Sequence, residues 1–104
     1  DGNLGAAVLT ASINSDGTVL RGEGVTPATT QRFSTGTYTV GFVRDITNCV
    51  YTISPGEGGV GSAVPFMAAI TRRSGNPNGV FIQIRNSSNA NVDNPFFVIV
   101  ACGR

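Results

Sequence analysis

The sequence predicts an all-β fold, an antiparallel β-sandwich of jelly-roll-like type with about eight short strands. Three observations carry that expectation. Short apolar runs alternate with polar residues at period two, as half-buried strands do. Clusters of Gly, Asn, Asp, Ser and Pro separate those runs at about ten-residue intervals. No long stretch with helical period occurs in the 104 residues, a length that suits one domain over residues 1–104.

Taken in order, Asp1 to Gly5 reads as the end of a linker or stalk, and Ala6 to Ile13 as the first strand. Asn14-Ser15-Asp16-Gly17 is a turn ending in the Asp-Gly pair that favours tight hairpins, so Thr18 to Arg21 is the return strand. Gly22-Glu23-Gly24 breaks it. Pro27 cannot donate to a ladder, which confines Val25 to Ala28 to an edge or a turn, and Thr29 to Ser34 resumes a strand. These first segments predict a meander.

Two central runs follow. Tyr38, Val40 and Phe42 share one side of Gly36 to Phe42, and Cys49, Tyr51 and Ile53 share one side of Asn48 to Ile53. With only a short polar connection from Val43 to Asn48, the two are expected to be the arms of a hairpin. Pro55 to Ser62 is glycine-rich but lacks a Gly-Lys-Ser/Thr ending, a following helix and a dinucleotide fingerprint, so it reads as a surface loop rather than a phosphate cradle. Ala63 to Thr71 contains helix formers, yet its shortness and its setting among strands decide for strand. Arg72 to Gly79 is a polar loop, Val80 to Arg85 a strand, Asn86 to Asn94 a second polar loop, and Phe96 to Cys102 the most apolar strand. A run apolar on both sides must be covered on both, by a second sheet, neighbouring strands or another subunit.

Cys49 and Cys102 fall on two of these strands. An even count in a small, loop-rich, weakly charged chain favours one disulfide and an oxidising, extracellular compartment over two reduced thiols. A bridge closing that loop stabilises the fold by about 4 kcal/mol on the chain-entropy model. It would pin the last strand beside, or across from, the central pair.

Charged residues make up 12% of the chain and nearly cancel to +1, so neither a nucleic-acid footprint nor an acidic steering surface is present. Such a surface suits a protein packed against copies of itself, since interface centres are depleted of charge; a hydroxyl-rich extracellular surface is the alternative. No apolar run reaches the ~20 residues of a membrane span. All seven basic residues are arginine, and histidine is absent, which removes the commonest general base and transition-metal ligand. The carboxylates Asp1, Asp16, Glu23, Asp45, Glu57 and Asp93 lie in or beside turns and show no calcium-loop spacing. The chain is therefore expected to be no enzyme and to hold no cofactor or metal.

Candidate ligand-binding residues sit in loops expected to gather at one end: Glu57, Arg72, Arg73, Asn76, Asn78, Asn89 and Asp93. Arg72, Arg73 and Arg85 could read phosphate, sulfate or a sialic-type carboxylate, though adjacent strand residues should face opposite ways and a solvated loop is the plainer reading. Tyr38 and Tyr51 could stack on sugars, but their alternation with apolar residues favours core or interface burial. Asn86-Ser87-Ser88 matches the N-glycosylation pattern of eukaryotic secretory hosts. Phe81, Phe97 and Ile99 are the candidate subunit-interface residues.

The succession Asp16-Gly17-Thr18-Val19, Arg21-Gly22, Gly24-Val25, Gly36 to Phe42, Asp45, Cys49-Val50-Tyr51 and Pro95 to Cys102 resembles a small β-domain of secreted or surface bacterial proteins. That domain occurs notably in actinobacteria and at the ends of fibre-like or phage tail-fibre proteins. The run Gly36-Thr37-Tyr38-Thr39-Val40-Gly41-Phe42 is also similar to one strand of the jelly-roll heads of trimeric collagen-like and TNF-like proteins. The first likeness spans most of the chain, and the second rests on that strand alone. The resemblance implies a compact sandwich that self-associates, with a trimer favoured, as a structural or adhesive head on an extracellular fibre, virion or cell surface. Its partners would be copies of itself and a cell-surface glycan or receptor. A monomeric carbohydrate-binding module and a filament or capsid subunit are the alternatives.

Overall fold

The computed structural model describes residues 7–56 and 66–102. It contains eight strands: β1 Ala7–Ile13, β2 Val19–Glu23, β3 Val25–Ser34, β4 Thr37–Phe42, β5 Cys49–Pro55, β6 Met67–Arg72, β7 Gly79–Arg85 and β8 Phe96–Cys102. They form two four-stranded sheets, in the orders β2-β1-β8-β5 and β3-β4-β7-β6, with every pairing antiparallel. The all-β sandwich is as the sequence predicts, and of the segment Ala63 to Thr71, Met67 onward is strand while Phe66 lies just outside it.

The pairing is nested. The last strand, β8, runs between β1 and β5, while β7 runs between β4 and β6. Ala7 stands opposite Cys102 and Cys49 stands opposite the same residue on the other side. The disulfide joins Cys49 to Cys102 within the first sheet, so β8 lies beside β5.

Two expected neighbours are not neighbours. β4 and β5 belong to different sheets, so residues 43–48 form an arch across the sandwich rather than a hairpin turn. The reason is Ile46, an apolar residue in a polar setting, which is fully buried and plugs that end of the core. Backbone hydrogen bonds hold the arch: Val43 N–H donates to Gly24 O at 2.9 Å and Ile46 N–H to Pro77 O at 2.9 Å. The initial meander is likewise divided, because the chain leaves the first sheet at Gly24, where φ is +76°, and enters the second as β3.

The expected Asp-Gly turn does close β1 onto β2. Asp16 Oδ1 accepts from the Thr18 backbone N–H at 3.0 Å and from its hydroxyl at 2.6 Å, and Gly17 adopts a φ of +90°. Pro27 lies on an edge strand, within an irregularity between Thr26 and Gln31. There the Thr30 hydroxyl replaces the missing ladder partner, accepting from Gly41 N–H at 3.1 Å and donating to Thr26 O at 2.9 Å.

The core comes from alternate residues of the four inner strands: Leu9, Ala11 and Ile13; Tyr38, Val40 and Phe42; Val80, Ile82 and Ile84; Phe96, Val98 and Val100. Each large side chain fully withdrawn from water there contributes about 1.5–3 kcal/mol. Tyr38 and Phe96 meet edge to face, with ring centroids 4.9 Å apart. Tyr51 and Ile53 pack against this cluster from β5.

Candidate functional site

The loops singled out as one ligand-binding rim are divided between two poles. Residues 73–78 join β6 to β7 at the pole of the 43–48 arch, where Ile46 bonds to Pro77. Residues 86–95 lie beyond the other end of β7, with the β1–β2 and β3–β4 turns. The seven residues of β7 hold the two groups apart, a span of roughly 20 Å at the usual strand rise. Glu57 lies outside the described residues.

At the second pole Asp93 is a clamp. Its Oδ1 accepts from Gly36 N–H at 2.7 Å and its Oδ2 from Arg32 Nε at 2.9 Å. The Tyr38 hydroxyl donates to Ser15 O at 2.6 Å, accepts from Asn94 N–H at 3.3 Å and stands 3.3 Å from Asp93 Oδ1. The Arg32 guanidinium holds the Asp93 carboxyl below its ordinary range, while burial, with the Asp93 charge beside it, pushes the Tyr38 hydroxyl up to about 12. Gly36 must be glycine here: its φ is +67°, and a Cβ would lie 2.6 Å from Ile84 O. These groups tie three loops together, and the oxygens of Asp93 are spent on that task.

The asparagines are also turn builders. Asn76 Oδ1 accepts from Asn78 N–H at 3.1 Å, and Asn86 Oδ1 accepts from Ser88 N–H at 2.9 Å and Ala90 N–H at 3.0 Å. Asn89 takes a positive φ of 64°, and its Oδ1 accepts from Arg85 at 3.1 Å.

What remains for contact is the outer faces of the two sheets, and they differ in kind. Across the first sheet, successive outward rows are Val8, Ala101 and Val50; Thr10, Ile99 and Thr52; Ser12, Phe97 and Ser54. No charge stands among them. Val8 is 61% exposed, Val50 71% and Ile99 47%, high values for apolar side chains. Charge enters only at the edge, where Arg21 and Glu23 of β2 lie opposite Ser12 and Thr10. A shallow hollow of about 470 Å³ opens on that side, lined by Thr10, Ser12, Arg21, Glu23, Phe97 and Ile99 among others.

Outward pairs on the second sheet are Met67 with Arg85, Ala69 with Gln83, and Thr71 with Phe81. Phe33, 65% exposed, and Thr39 complete this face beside Phe81. Arg72 and Arg73, expected to diverge, line one hollow of about 390 Å³ together with Phe33, Thr39, Thr71, Ser74 and Phe81. Strand alternation ceases to apply because β6 ends at Arg72 and the chain turns there.

The candidate interface residues therefore lie on opposite faces, Phe97 and Ile99 on the first sheet and Phe81 on the second. One contact cannot use all three. Their neighbours Val80, Ile82, Ile84, Phe96, Val98 and Val100 point into the core and are not available to a partner. Among the described residues no cluster of three or more metal-ligating side chains occurs. Comparison of the chain with protein-family models, with curated proteins and with solved structures returns no match.

Proposed function

We propose that this domain is a non-catalytic structural or adhesive head that assembles with copies of itself, a trimer being favoured, on an extracellular fibre, a phage tail fibre or a cell surface. The observation that carries the reading is the outer face of the first sheet, with its exposed Val8, Val50 and Ile99 and no charge on β1, β5 or β8. Apolar area of that kind gains about 25 cal/mol per Å² when removed from water.

A second copy suits this face for two reasons. Like-charge repulsion between identical surfaces is absent where the surfaces carry no charge. The face also carries two unlike features, a hollow beside β2 and the exposed Val50 on β5; mutual insertion would make a two-fold pair, whereas one-way insertion of Val50 into the neighbour's hollow makes a head-to-tail contact. Head-to-tail contacts close into rings, or run on as filaments when the rotation does not close. The disulfide is compatible with an oxidising, extracellular setting.

Sedimentation equilibrium at micromolar concentration tests the reading. The wild-type chain should run as a trimer, and Ile99→Arg or Val50→Asp should run as folded monomers with unchanged circular dichroism. A wild-type monomer over that range overturns it, and an open-ended fibre in electron micrographs replaces the head with a filament subunit.

A further inference from the structure

We propose that the outer face of the second sheet is a binding trough for a linear acidic polysaccharide, a site separate from the self-association face and independent of it. Three hollows follow one another along β6 and β7. The first is lined by Met67, Ala69, Gln83, Arg85 and Asn89, the next by Ala69, Thr71, Phe81 and Gln83, and the last by Thr71, Phe81, Phe33, Thr39 and the arginines of residues 72–73. Because adjacent hollows share residues, they form one trough. Its ends are cationic. Arg85 stands at one and Arg72 with Arg73 at the other, about 17 Å apart at the strand rise.

The lining chemistry selects the ligand. No carboxylate lines any of the three hollows, so the charges that line them attract an anion. The Arg73 backbone is held by Gly79 and Asn76, but its guanidinium has no hydrogen-bond or ion-pair partner among the described residues, and the Arg72 guanidinium has only the more distant charge of Asp45. The Thr39 hydroxyl, in a residue 3% exposed, likewise has no hydrogen-bond partner at the arginine end. Phe33 and Phe81 offer flat apolar rings to the C–H faces of sugars, while Gln83, Thr71 and Ser74 offer amide and hydroxyl groups to their oxygens.

Between the cationic ends the lining is neutral. A polynucleotide carries a charge on every unit and calls for a continuous basic stripe, whereas a polysaccharide with carboxylates or sulfates at intervals matches charge at the ends and hydroxyls between. An extended acidic peptide would instead pair with an edge strand such as β6, using its main chain rather than this face.

The test is binding of immobilised polygalacturonate and heparin, with neutral dextran, oligothymidylate and polyglutamate as comparisons. Wild-type protein should bind at least one acidic polysaccharide, lose affinity tenfold or more between low and physiological salt, and ignore dextran. The double variant Arg72→Gln/Arg73→Gln should lose at least tenfold, with an unchanged melting temperature. Should it fail to fold, amide chemical-shift mapping on the wild type decides, since shifts must cluster at residues 71–74, 81–85 and 89. Ile99→Arg must retain binding, which separates this site from the assembly face. Absence of binding to both acidic polysaccharides, shifts elsewhere, or equal binding of oligothymidylate or polyglutamate overturns the proposal.

Discussion

The two outer faces of the sandwich share one core yet present opposite chemistry. The face of β1, β8 and β5 is apolar and hydroxyl-bearing with no charge, whereas the face of β6 and β7 carries arginines and no carboxylate. Outward positions do not touch the core, so they are free to diverge while the inward ones keep the fold. In a chain with 12% charged residues, where the few charges fall is informative.

The largest expected effect asks whether the faces can be uncoupled at all. Replacing Cys49 and Cys102 by serine should lower stability by about 4 kcal/mol and the melting temperature by roughly 15–30 °C. Because Leu9, Tyr38, Val80 and Phe96 all belong to one cluster, calorimetry should still record a single transition. Two separated transitions would mean that the sheets are independent bodies.

Next in size is the contrast between mirror substitutions. Ile99→Arg on the first face should abolish self-association, while Met67→Arg on the second, 54% exposed at the start, should leave the sedimenting mass unchanged. Loss of assembly in both would place the interface elsewhere.

A smaller effect probes the pole that holds the sheets in register. Tyr38 is held neutral, burial raising its hydroxyl from the ordinary tyrosine range to about 12. The folded state therefore keeps a proton that the unfolded chain loses above pH 10. Stability should fall by up to ~2–3 kcal/mol as pH rises from 10 to 12, measured by urea denaturation. Tyr38→Phe should flatten that decline.

The smallest effect concerns the Arg32–Asp93 pair, whose side chains remain about a third exposed. Arg32→Gln should lower the melting temperature only slightly, less than any of the changes above, because solvent screens so exposed a pair. The pair keeps the Asp93 carboxyl below its ordinary range, so its contribution is present above that range and is lost as pH falls through the lowered value. In acid titrations the variant and the wild type should converge.

Much of the fold was legible in the sequence because it is written locally. Period-two alternation placed Tyr38, Val40 and Phe42 in the core, and the Asp-Gly pair marked the β1–β2 turn. The cysteine pairing followed from count and composition. The arch at residues 43–48 was not legible, since a short polar connection suits a hairpin equally well, and only the burial of Ile46 distinguishes the two. Asp93 could not be read as a clamp because its partners Gly36 and Arg32 lie 57 and 61 residues away. Arg72, Arg73 and Arg85 were legible as possible anion readers, but not their neighbours: Thr39, Gln83 and Arg73 come from different segments, and register alone brings them to one face.

The pairing of Ala7 with Cys102 has a mechanical meaning. Force applied between these two points enters the sandwich at one spot, so it would peel β1 from β8 one rung at a time instead of shearing all rungs together. On the other flank of β8 the covalent link to Cys49 stops any such tear from spreading into β5, and a domain under tension would yield by releasing its first strand while the last stays moored.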